Sequence, residues 1–441
     1  MIATRTKEHY VAVFSRYRKN GIGRGPSWLE DLREEAIRAF AQLGFPTQKD
    51  EEWRFTSIEP IVARPFERAN GVPWSPPAKE IFSLSFADPA FSRLVFVDGR
   101  LAAELSSLRG AAQSVEAGSL ARAIADDHEI VRAHLGRCAG HRDRSFVALN
   151  AAFFEDGAFV HVPRGAVLEE PLYLIFVSRG GERPAAVHPR NLLVCGEAAS
   201  ARVVECYIGL EAGTYFDNPV TEIVQEPGAV LDHYRLQREG ANGLHVGEVV
   251  ARVGRGASLT AHGITLGGAL VRNDVRVALD GEGAQCVLNG LYLVDGARHV
   301  DNHTRIDHLK PHATSFELYK GILAGNGHAV FDGKILVHRG AQKSNARQVN
   351  RNLLLSDGAG VNTKPQLEIY ADDVKCSHGS TIGQLDRDAL FYLRSRGLDL
   401  AGARSLLSYA FASEVVNRIR IPPMRAGLDE YVLGKFTVTD G

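Results

Sequence analysis

The stretch that decides the fold is Arg255-Gly256-Ala257-Ser258-Leu259, a glycine–alanine turn that runs directly into a strand-forming segment. The same turn occurs one period earlier at Pro227-Gly228-Ala229-Val230-Leu231 and one period later at Glu282-Gly283-Ala284-Gln285-Cys286. The three glycines lie 27 or 28 residues apart, a spacing typical of repeats that stack into a solenoid. Strand-like runs at Val249–Val253 and Val275–Leu279 come before two of the turns. Two strands and two turns per repeat predict a parallel β-helix, in which each coil buries its apolar face against the next.

An antiparallel sandwich is the competing architecture, because short strands separated by glycine turns occur in both. The glycine–alanine step returns less regularly at Gly327, Gly340 and Gly358, so the turns persist while the loop lengths vary. We therefore predict a mainly β protein whose parallel β-helix core (β-solenoid) spans residues 146–383.

Helical domains are predicted on both sides of this core, at residues 1–145 and 384–441. In the first, apolar residues from Trp28 to Leu43 recur at helical spacing before Gly44, and a second helix is expected from Ala121 to Leu135. Between them, Leu94–Val97 followed by Asp98-Gly99 indicates a strand and a tight turn. The proline-rich stretch from Gly71 to Pro77 cannot continue a helix and marks a linker.

The C-terminal region predicts a helical hairpin. Asp386 can cap a helix through Arg396, Gly397 ends it, and Asp399 can cap the next. The second helix carries an apolar stripe at Ala403, Leu407, Phe411, Val415 and Ile419. This stripe packs on the end of the solenoid or receives a partner protein. The tail from Ile421 to Gly441 gives no comparable signal.

Composition narrows the possible functions. The 51 basic and 52 acidic side chains nearly cancel and form no long run of one sign, which argues against nucleic acid and anionic membranes as partners. The N-terminus has no signal-peptide core and no apolar stretch approaches a membrane span, so we expect a cytoplasmic protein. Five scattered cysteines without a Cys-x-x-Cys pair argue against a disulfide framework or a self-contained cluster site. Any metal that the chain holds is therefore expected to be shared with a partner.

The strongest chemical signal is Cys376 and His378, two residues apart in the late segment Asp372–Gly379. Alternate residues of a strand project from one face, so the thiol and the imidazole are expected to point the same way. Sulfur and imidazole nitrogen are ligands for iron, zinc and copper, but two ligands make only half of a site. A buried cysteine beside a hydrogen-bonded histidine is the simpler interpretation of the pair alone.

A second candidate is the patch that contains His303, His308 and His312. Its histidines and carboxylates suggest a metal-dependent, cupin-like β-fold enzyme, while polar ladders between coils are the structural alternative. No phosphate-binding glycine loop and no Gly-x-Ser-x-Gly elbow is present, so ATP-driven or hydrolytic chemistry is not expected in this chain.

Several segments resemble the SufB/SufD family of the SUF iron–sulfur cluster assembly machinery, and the late motif resembles its SufD branch. They are Glu51–Thr56, Val300–Thr304, Pro311–Ser315, Leu318–Leu323, Asn362–Gly379 and Phe391–Gly397. The resemblance implies a right-handed parallel β-helix between helical domains, in a non-catalytic subunit. It implies pairing with SufB through the last core strands, and docking of the ATPase SufC on the C-terminal helices.

The same resemblance assigns roles to particular residues. His378 and, beside it, Cys376 would lie at the SufB junction, where a transient cluster or iron is shared between subunits and no cofactor is held tightly by the isolated chain. Leu407, Phe411 and Val415 are the expected ATPase-docking positions. A homodimer that pairs its own last strands is a further possibility for the isolated chain, because the edge strand needs a cover.

Overall fold

The computed structural model describes residues 2–19, 25–69, 74, 76–109, 115–181, 184–210 and 213–435, and elements are numbered in chain order. Sheet A contains β1 (Glu67–Arg68), β4 (Glu116–Ser119), β5 (Ala158–Val162), β7 (Ala185–Val187), β8 (Arg190–Cys195), β10 (Tyr215–Asp217), β11 (Val220–Gln225), β13 (Gly243–Val253), β15 (Leu270–Leu279), β17 (His299–His308), β19 (His328–Val337) and β21 (Gly360–Ile369). Sheet B contains β2 (Arg93–Val97), β3 (Arg100–Leu101), β6 (Leu172–Ser178), β9 (Ser200–Gly209), β12 (Val230–Arg238), β14 (Ser258–Thr265), β16 (Gln285–Val294), β18 (Thr314–Leu323), β20 (Asn345–Leu354) and β22 (Lys375–Gly383).

The strands of the core alternate between the two sheets, so each coil contributes one strand to each. From β11 to β22 every odd-numbered strand joins sheet A and every even-numbered strand joins sheet B. Neighbours within a sheet are parallel: β15, β17 and β19, for example, pair residue for residue over their full lengths. The parallel β-solenoid predicted from the glycine–alanine turns is confirmed, and the antiparallel sandwich is wrong.

The turn into each strand of sheet B explains why glycine marks the repeat. Gly228, Gly256 and Gly283 adopt φ of +71°, +62° and +69°, a left-handed conformation that costs glycine little. The alanine that follows each is fully buried, since only a small side chain fits there. Other coils place non-glycine residues at the same turn position, namely Ala198, His312 and Lys343, with φ of 55° to 62°. The repeat therefore extends further along the chain than its glycines show.

Ten α-helices of the described residues flank the solenoid. They are α1 (Ile2–Lys19), α2 (Ser27–Leu43), α3 (Glu59–Val62), α4 (Ala78–Ser85), α5 (Leu120–Ala125), α6 (Glu129–His134), α7 (Ser145–Phe153), α8 (Arg387–Ser395), α9 (Leu400–Val416) and α10 (Pro422–Lys435). The helix expected from Trp28 to Leu43 is α2, and it ends at Gly44 as expected. The single helix expected from Ala121 to Leu135 is two helices, α5 and α6, because Asp127 turns the chain at φ 50°.

Helix α7 occupies the predicted start of the core. All residues from Phe146 to Phe153 are buried, between α2 on one side and the solenoid on the other. A helix that is buried all round has no polar face, so its sequence lacks the helical periodicity by which α2 is recognised. The strands begin at Ala158 instead of near Phe146.

The N-terminal segment also contributes strands to both sheets. Leu94–Val97 and Asp98-Gly99 form the expected strand and turn, β2 followed by β3, and β2 additionally pairs in parallel with β6. In the same way, β4 pairs with β5 at the first edge of sheet A. The linker predicted from Gly71 to Pro77 lies largely outside the described residues.

The C-terminal hairpin has the predicted caps. The Asp386 carboxylate accepts the backbone N–H of Asp388 and Ala389, and the Asp399 carboxylate accepts that of Gly402. Helices α9 and α10 pack on the outer face of sheet B, through a cluster that includes Val415, Met424 and Leu428. They do not cover the end of the solenoid, and most of the tail that gave no signal is helix α10. None of the helices in the described ranges is long and apolar enough to cross a membrane.

Candidate functional site

The last coil leaves both sheets with an uncovered edge. Among the residues that the structure describes, strand β22 pairs only with β20, and β21 only with β19. Every residue of β22 except Cys376 is exposed, although each strand of the same sheet from β6 to β18 is largely buried. An exposed edge presents unpaired backbone groups that can bind a further strand.

Cys376 and His378 lie on the inner face of this last strand. The register places Cys376 opposite Ala346 and His378 opposite Gln348, and both of those residues are buried inside the solenoid. Cys376 itself packs partly against the inner core, whereas His378 is exposed at the open mouth. Burial raises the pKa of the Cys376 thiol above its usual value. The thiol therefore keeps its proton at neutral pH.

The backbone of the same residues faces the open edge. The N–H of Lys375 donates to Ser344 of the preceding coil, so in a parallel ladder the odd-numbered residues of β22 bond to β20. The alternate residues, Cys376, His378 and Ser380, then direct their amide and carbonyl groups outward. A strand that joined this edge would pair with the backbone of the two candidate ligands.

The two edges are not equivalent. In β21 the N–H of Gly360 donates to Gly327 of the previous coil, so the even-numbered residues bond inward and Pro365 faces the open edge. Proline has no N–H to donate and is a common way to blunt an edge strand. Strand β22 contains no proline and offers its outward donors without interruption.

Beneath His378 the inner face is polar. Glu317 of β18 and Gln348 of β20 occupy the same register position as His378 of β22, on three successive coils. Gln348 Nε2 donates to Glu317 Oε2 at 2.7 Å, and both side chains are fully buried. Sequence reasoning missed this column because its members are separated by 31 and 30 residues, so a constant period does not align them.

The structure does not bring the histidines of the second candidate together. His303 points outward from β17, where its Nε2 lies 3.0 Å from Asp301 Oδ1. His308 is five residues later on the same strand and points inward, with hydrogen bonds to Ser315 and Ser344. His312 lies in the following turn at φ 60°. Because these side chains occupy opposite faces, a metal site made of all three is wrong.

The outer face of β17 anchors the N-terminal segment instead. Thr56 Oγ1 donates to Asp301 Oδ2 at 2.6 Å, and Arg272 donates to the same carboxylate at 3.0 Å. The guanidinium of Arg272 also lies over the Trp53 ring, 3.8 Å from its centroid. The neighbouring positive charges of His303 and Arg272 outweigh burial and hold the pKa of Asp301 far below its usual range. The Glu51–Thr56 motif thus attaches the N-terminal segment to the outer face of the solenoid.

One group of possible metal ligands in the described part of the chain does converge: Asp217, Glu239 and His245, all buried in an early coil. Their hydrogen bonds are already made within the chain. His245 bonds to Glu239 at 2.7 Å through Nδ1 and to Arg235 at 2.8 Å through Nε2, while Tyr215 donates to Glu239. Burial and the nearby Glu239 charge raise the pKa of Asp217 well above its usual value. Because both imidazole nitrogens are occupied, the trio is a hydrogen-bond network that needs no ion.

The predicted docking stripe on α9 is mostly a packing surface. Val415 is fully buried against sheet B, and Phe411 lies half-buried under Lys320, whose Nζ is 4.3 Å from the ring centroid. Lys320 Nζ also pairs with Glu414 at 2.7 Å, which fixes the helix on the sheet. The assignment of Val415 to a direct docking contact is therefore wrong, while Leu407 stays half-exposed. The most exposed large apolar side chains of the described C-terminal helices are on α8, at Phe391 (75%) and Tyr392 (57%).

A parallel β-solenoid with an uncovered last coil, helices on its flanks and a Cys-x-His pair at the open edge defines the class of protein. The family model described as "SUF system FeS cluster assembly, SufBD core domain" matches residues 176–411. A second family model, "SufBD protein N-terminal region", matches residues 4–174. The chain belongs to the SufBD family and has a role in iron–sulfur cluster assembly by the SUF system.

Full-length relatives place it closer within that family. SufD of Escherichia coli is 32% identical over 404 residues, which cover 91% of each chain. A SufBD family protein of Synechocystis is 34% identical over 93% of this chain and 92% of its own. The chloroplastic protein ABCI7 of Arabidopsis thaliana is 31% identical over 92% of this chain and 86% of its own. The chain is accordingly a SufD-type assembly protein.

Proposed function

We propose that this chain is a non-catalytic scaffold subunit that pairs with SufB through its last core strands and supports cluster formation at that junction. The observation that supports it best is the uncovered edge at β22, whose outward backbone and inward side chains belong to the same residues. His378 would be a ligand or a proton-handling group for the nascent cluster, and Cys376 a secondary sulfur contact. Iron and sulfide are the cargo of this site, and the remaining ligands would come from SufB.

The chemistry of the pair fits that cargo. Neutral imidazole nitrogen and thiolate sulfur both bind iron, and an edge buried between two subunits would exclude water and oxidants from exposed sulfide. The thiol loses its proton only when metal binds, so iron that is loaded at Cys376 releases acid at the junction. We place the site in the cytoplasm, in a soluble complex.

The test is cluster maturation in cells that carry His378→Ala. Maturation should collapse while SufB still co-purifies, because the substitution removes one side chain from the inner face and leaves the outward backbone intact. Ser377→Ala is the matched control, since Ser377 is exposed on the opposite face of β22 and should mature clusters normally. Normal maturation by His378→Ala would refute the assignment of His378.

We further propose that the ATPase SufC docks on the C-terminal helices, with Phe391 and Tyr392 of α8 beside Leu407 of α9. Helix α8 has no buried residue and packs along α9, so its aromatic face is available. A Phe391→Glu substitution should reduce SufC pull-down at least tenfold. Leu433→Glu on α10 introduces the same charge at another exposed apolar residue and should not.

An isolated chain has the same uncovered edge, so we propose that it forms a homodimer through β22 when SufB is absent. Light scattering of the purified chain should then give twice the mass of 48.0 kDa, and added SufB should convert this dimer into a heterodimer. A monomer over the whole concentration range would contradict this proposal without affecting the SufB junction.

A further inference from the structure

The inner face below the junction contains a buried carboxyl group that the cluster ligands do not explain. Glu317, Gln348 and His378 stack in register on β18, β20 and β22. Neighbouring strands lie about 4.8 Å apart, so the Glu317 backbone is about 10 Å from that of His378. The column leads from the closed interior to the open mouth.

Two atoms of this column lack a partner. Glu317 Oε2 accepts the Gln348 amide, but Glu317 Oε1 and Gln348 Oε1 have no hydrogen-bond partner among the described residues. The Thr304 hydroxyl of β17, which acts on the Glu317 carboxyl, also has no partner within hydrogen-bond distance among the described residues. A buried acceptor oxygen is unfavourable when it lacks a donor. A proton on Glu317 Oε1 turns this oxygen into a donor, which a water molecule or a neighbouring acceptor can then receive.

The opposite wall is shaped around the column. Gly333 of β19 faces the Gln348 side chain, and a Cβ at that position would collide with the Gln348 amide nitrogen. A glycine in the middle of a strand weakens that strand, and a close approach by another group is a common reason for it. Here Gly333 leaves room for the buried Gln348 amide. The arrangement of Glu317 and Gln348 is therefore built into both sheets.

No cation compensates the carboxyl group. Within the described residues Glu317 forms no ion pair, and the titratable groups that face it are Cys286 on β16, Tyr319 on its own strand and His378 two strands away, with Arg235 beyond Tyr319. Burial raises the pKa of Glu317 to about 7, and hydrogen bonding by Thr304 of β17 and by Gln348 offsets only part of this effect. The group therefore gains and loses a proton near neutral pH.

We propose that Glu317, held by Gln348, is the proton acceptor for cluster assembly at the open end. This inference rests on the proposed function of His378 and Cys376. When a thiol or hydrosulfide becomes an iron ligand, its S–H bond breaks and the electron pair stays on sulfur. The proton travels through water at the mouth to Oε1 of Glu317, where a new O–H bond forms. No electron is transferred, and the proton later returns to solvent. Glu317 contacts neither iron nor sulfide, so its role is limited to accepting and releasing this proton.

The experiment uses the purified full complex, reconstituted with ferrous iron and sulfide between pH 6 and 8.5 and followed by visible absorption. Wild-type assembly should accelerate as pH rises through about 7. Glu317→Gln keeps the shape and the buried polar contact but cannot accept a proton, so the rate near neutral pH should fall roughly tenfold or more and the rise in rate should move to a pH above 7. At pH 8.5, where solvent takes the proton, the rate should recover. Glu317→Asp should retain an inflection.

Glu368→Gln is the matched control, because it removes a half-exposed carboxylate from the outer face of the last coil. Its profile should follow the wild type. A Glu317→Gln profile with the wild-type inflection would overturn the inference, and if His378→Ala still abolishes assembly, the proposed function survives. If Glu317→Gln does not fold, the infrared band of a protonated carboxyl in the wild type decides the question. A buried acid that disappears between pH 6 and 8 supports the inference, and its absence refutes it.

Discussion

The first and last coils of the solenoid are built from the same strand pairing but have opposite surroundings. In β8, near the start, all six residues are buried, because α5, α6 and α7 cover this end. In β22, at the other end, every residue except Cys376 is exposed. A repeat alone leaves an unpaired strand at each end: β8 pairs on both sides because the N-terminal part of the chain adds β5 and β4 beyond it, whereas β22 pairs only with β20 among the described residues. Coverage is therefore a separate property of the chain, and the bare end is the part left for a partner.

Buried carboxyl groups near the two ends also differ in how far their charge is compensated. Glu222, near the covered end, pairs with Arg190 at 2.6 Å and accepts backbone N–H groups from Gly136, Cys138 and Ala139. Glu317, nearer to the bare end, forms no ion pair within the described residues and accepts one amide. A fully compensated carboxylate stabilises a structure, whereas an uncompensated one stays responsive to pH. The comparison associates the covered end with stability and the bare end with function.

The largest effect is expected at the covered end. Glu222→Ala should lower the free energy of unfolding by about 3–5 kcal/mol, because Arg190 is left buried without its counter-charge and three backbone donors lose their acceptor. Denaturation in urea measures this loss. Glu226→Ala is the control, since its pair with Arg252 is partly exposed and should contribute less than about 1 kcal/mol. Equal effects of the two substitutions would remove the distinction between structural and responsive charge.

The next effect is the pH dependence that originates near the bare end. Glu317 has a pKa of about 7 in the folded chain against 4.5 ordinarily, so the folded chain keeps a proton that the unfolded chain loses. Its stabilising contribution is complete below pH 4.5 and is lost as pH rises through 7. Between pH 5 and 8 this loss is about 2–3 kcal/mol.

Glu317→Gln should remove that part of the pH dependence. The difference in unfolding free energy between pH 5 and 8 should shrink by about 2–3 kcal/mol relative to wild type, while Glu368→Gln keeps the wild-type slope. Urea denaturation at several pH values measures both variants. Parallel curves for wild type and Glu317→Gln would mean that Glu317 does not change its protonation over this range.

The sequence predicts the features that leave a local signal and misses those that do not. The glycine–alanine turns are visible because a left-handed turn favours glycine, and the Cys376 and His378 pair is visible because strand alternation is local. His312 and Lys343 take the same turn conformation without glycine, so their coils are hidden from sequence reasoning. Helix α7 is hidden because it is buried on all sides.

The column below His378 shows a further limit. Which residues stack on successive coils depends on every intervening loop length, and these lengths change between β16 and β22. The Val415 assignment fails for a related reason. An apolar stripe shows that a helix face is buried, but not whether the chain itself or a partner buries it.

The smallest expected effect concerns the outward backbone N–H groups of β22, tested separately from the stability of the strand itself. Ser380→Pro removes an N–H that points away from β20, so it should leave the internal ladder intact and weaken SufB binding by about tenfold, the equivalent of about 1.4 kcal/mol. Ser380→Ala is the matched control, because it loses the same hydroxyl contact with Thr363 at 3.0 Å but keeps the N–H. Thr381→Pro removes an N–H that points toward β20 and should destabilise the chain itself. Affinity measured by titration of SufB then tests the edge directly: if Ser380→Pro binds as tightly as Ser380→Ala, the outward backbone of β22 is not the junction, and the bare end needs another explanation.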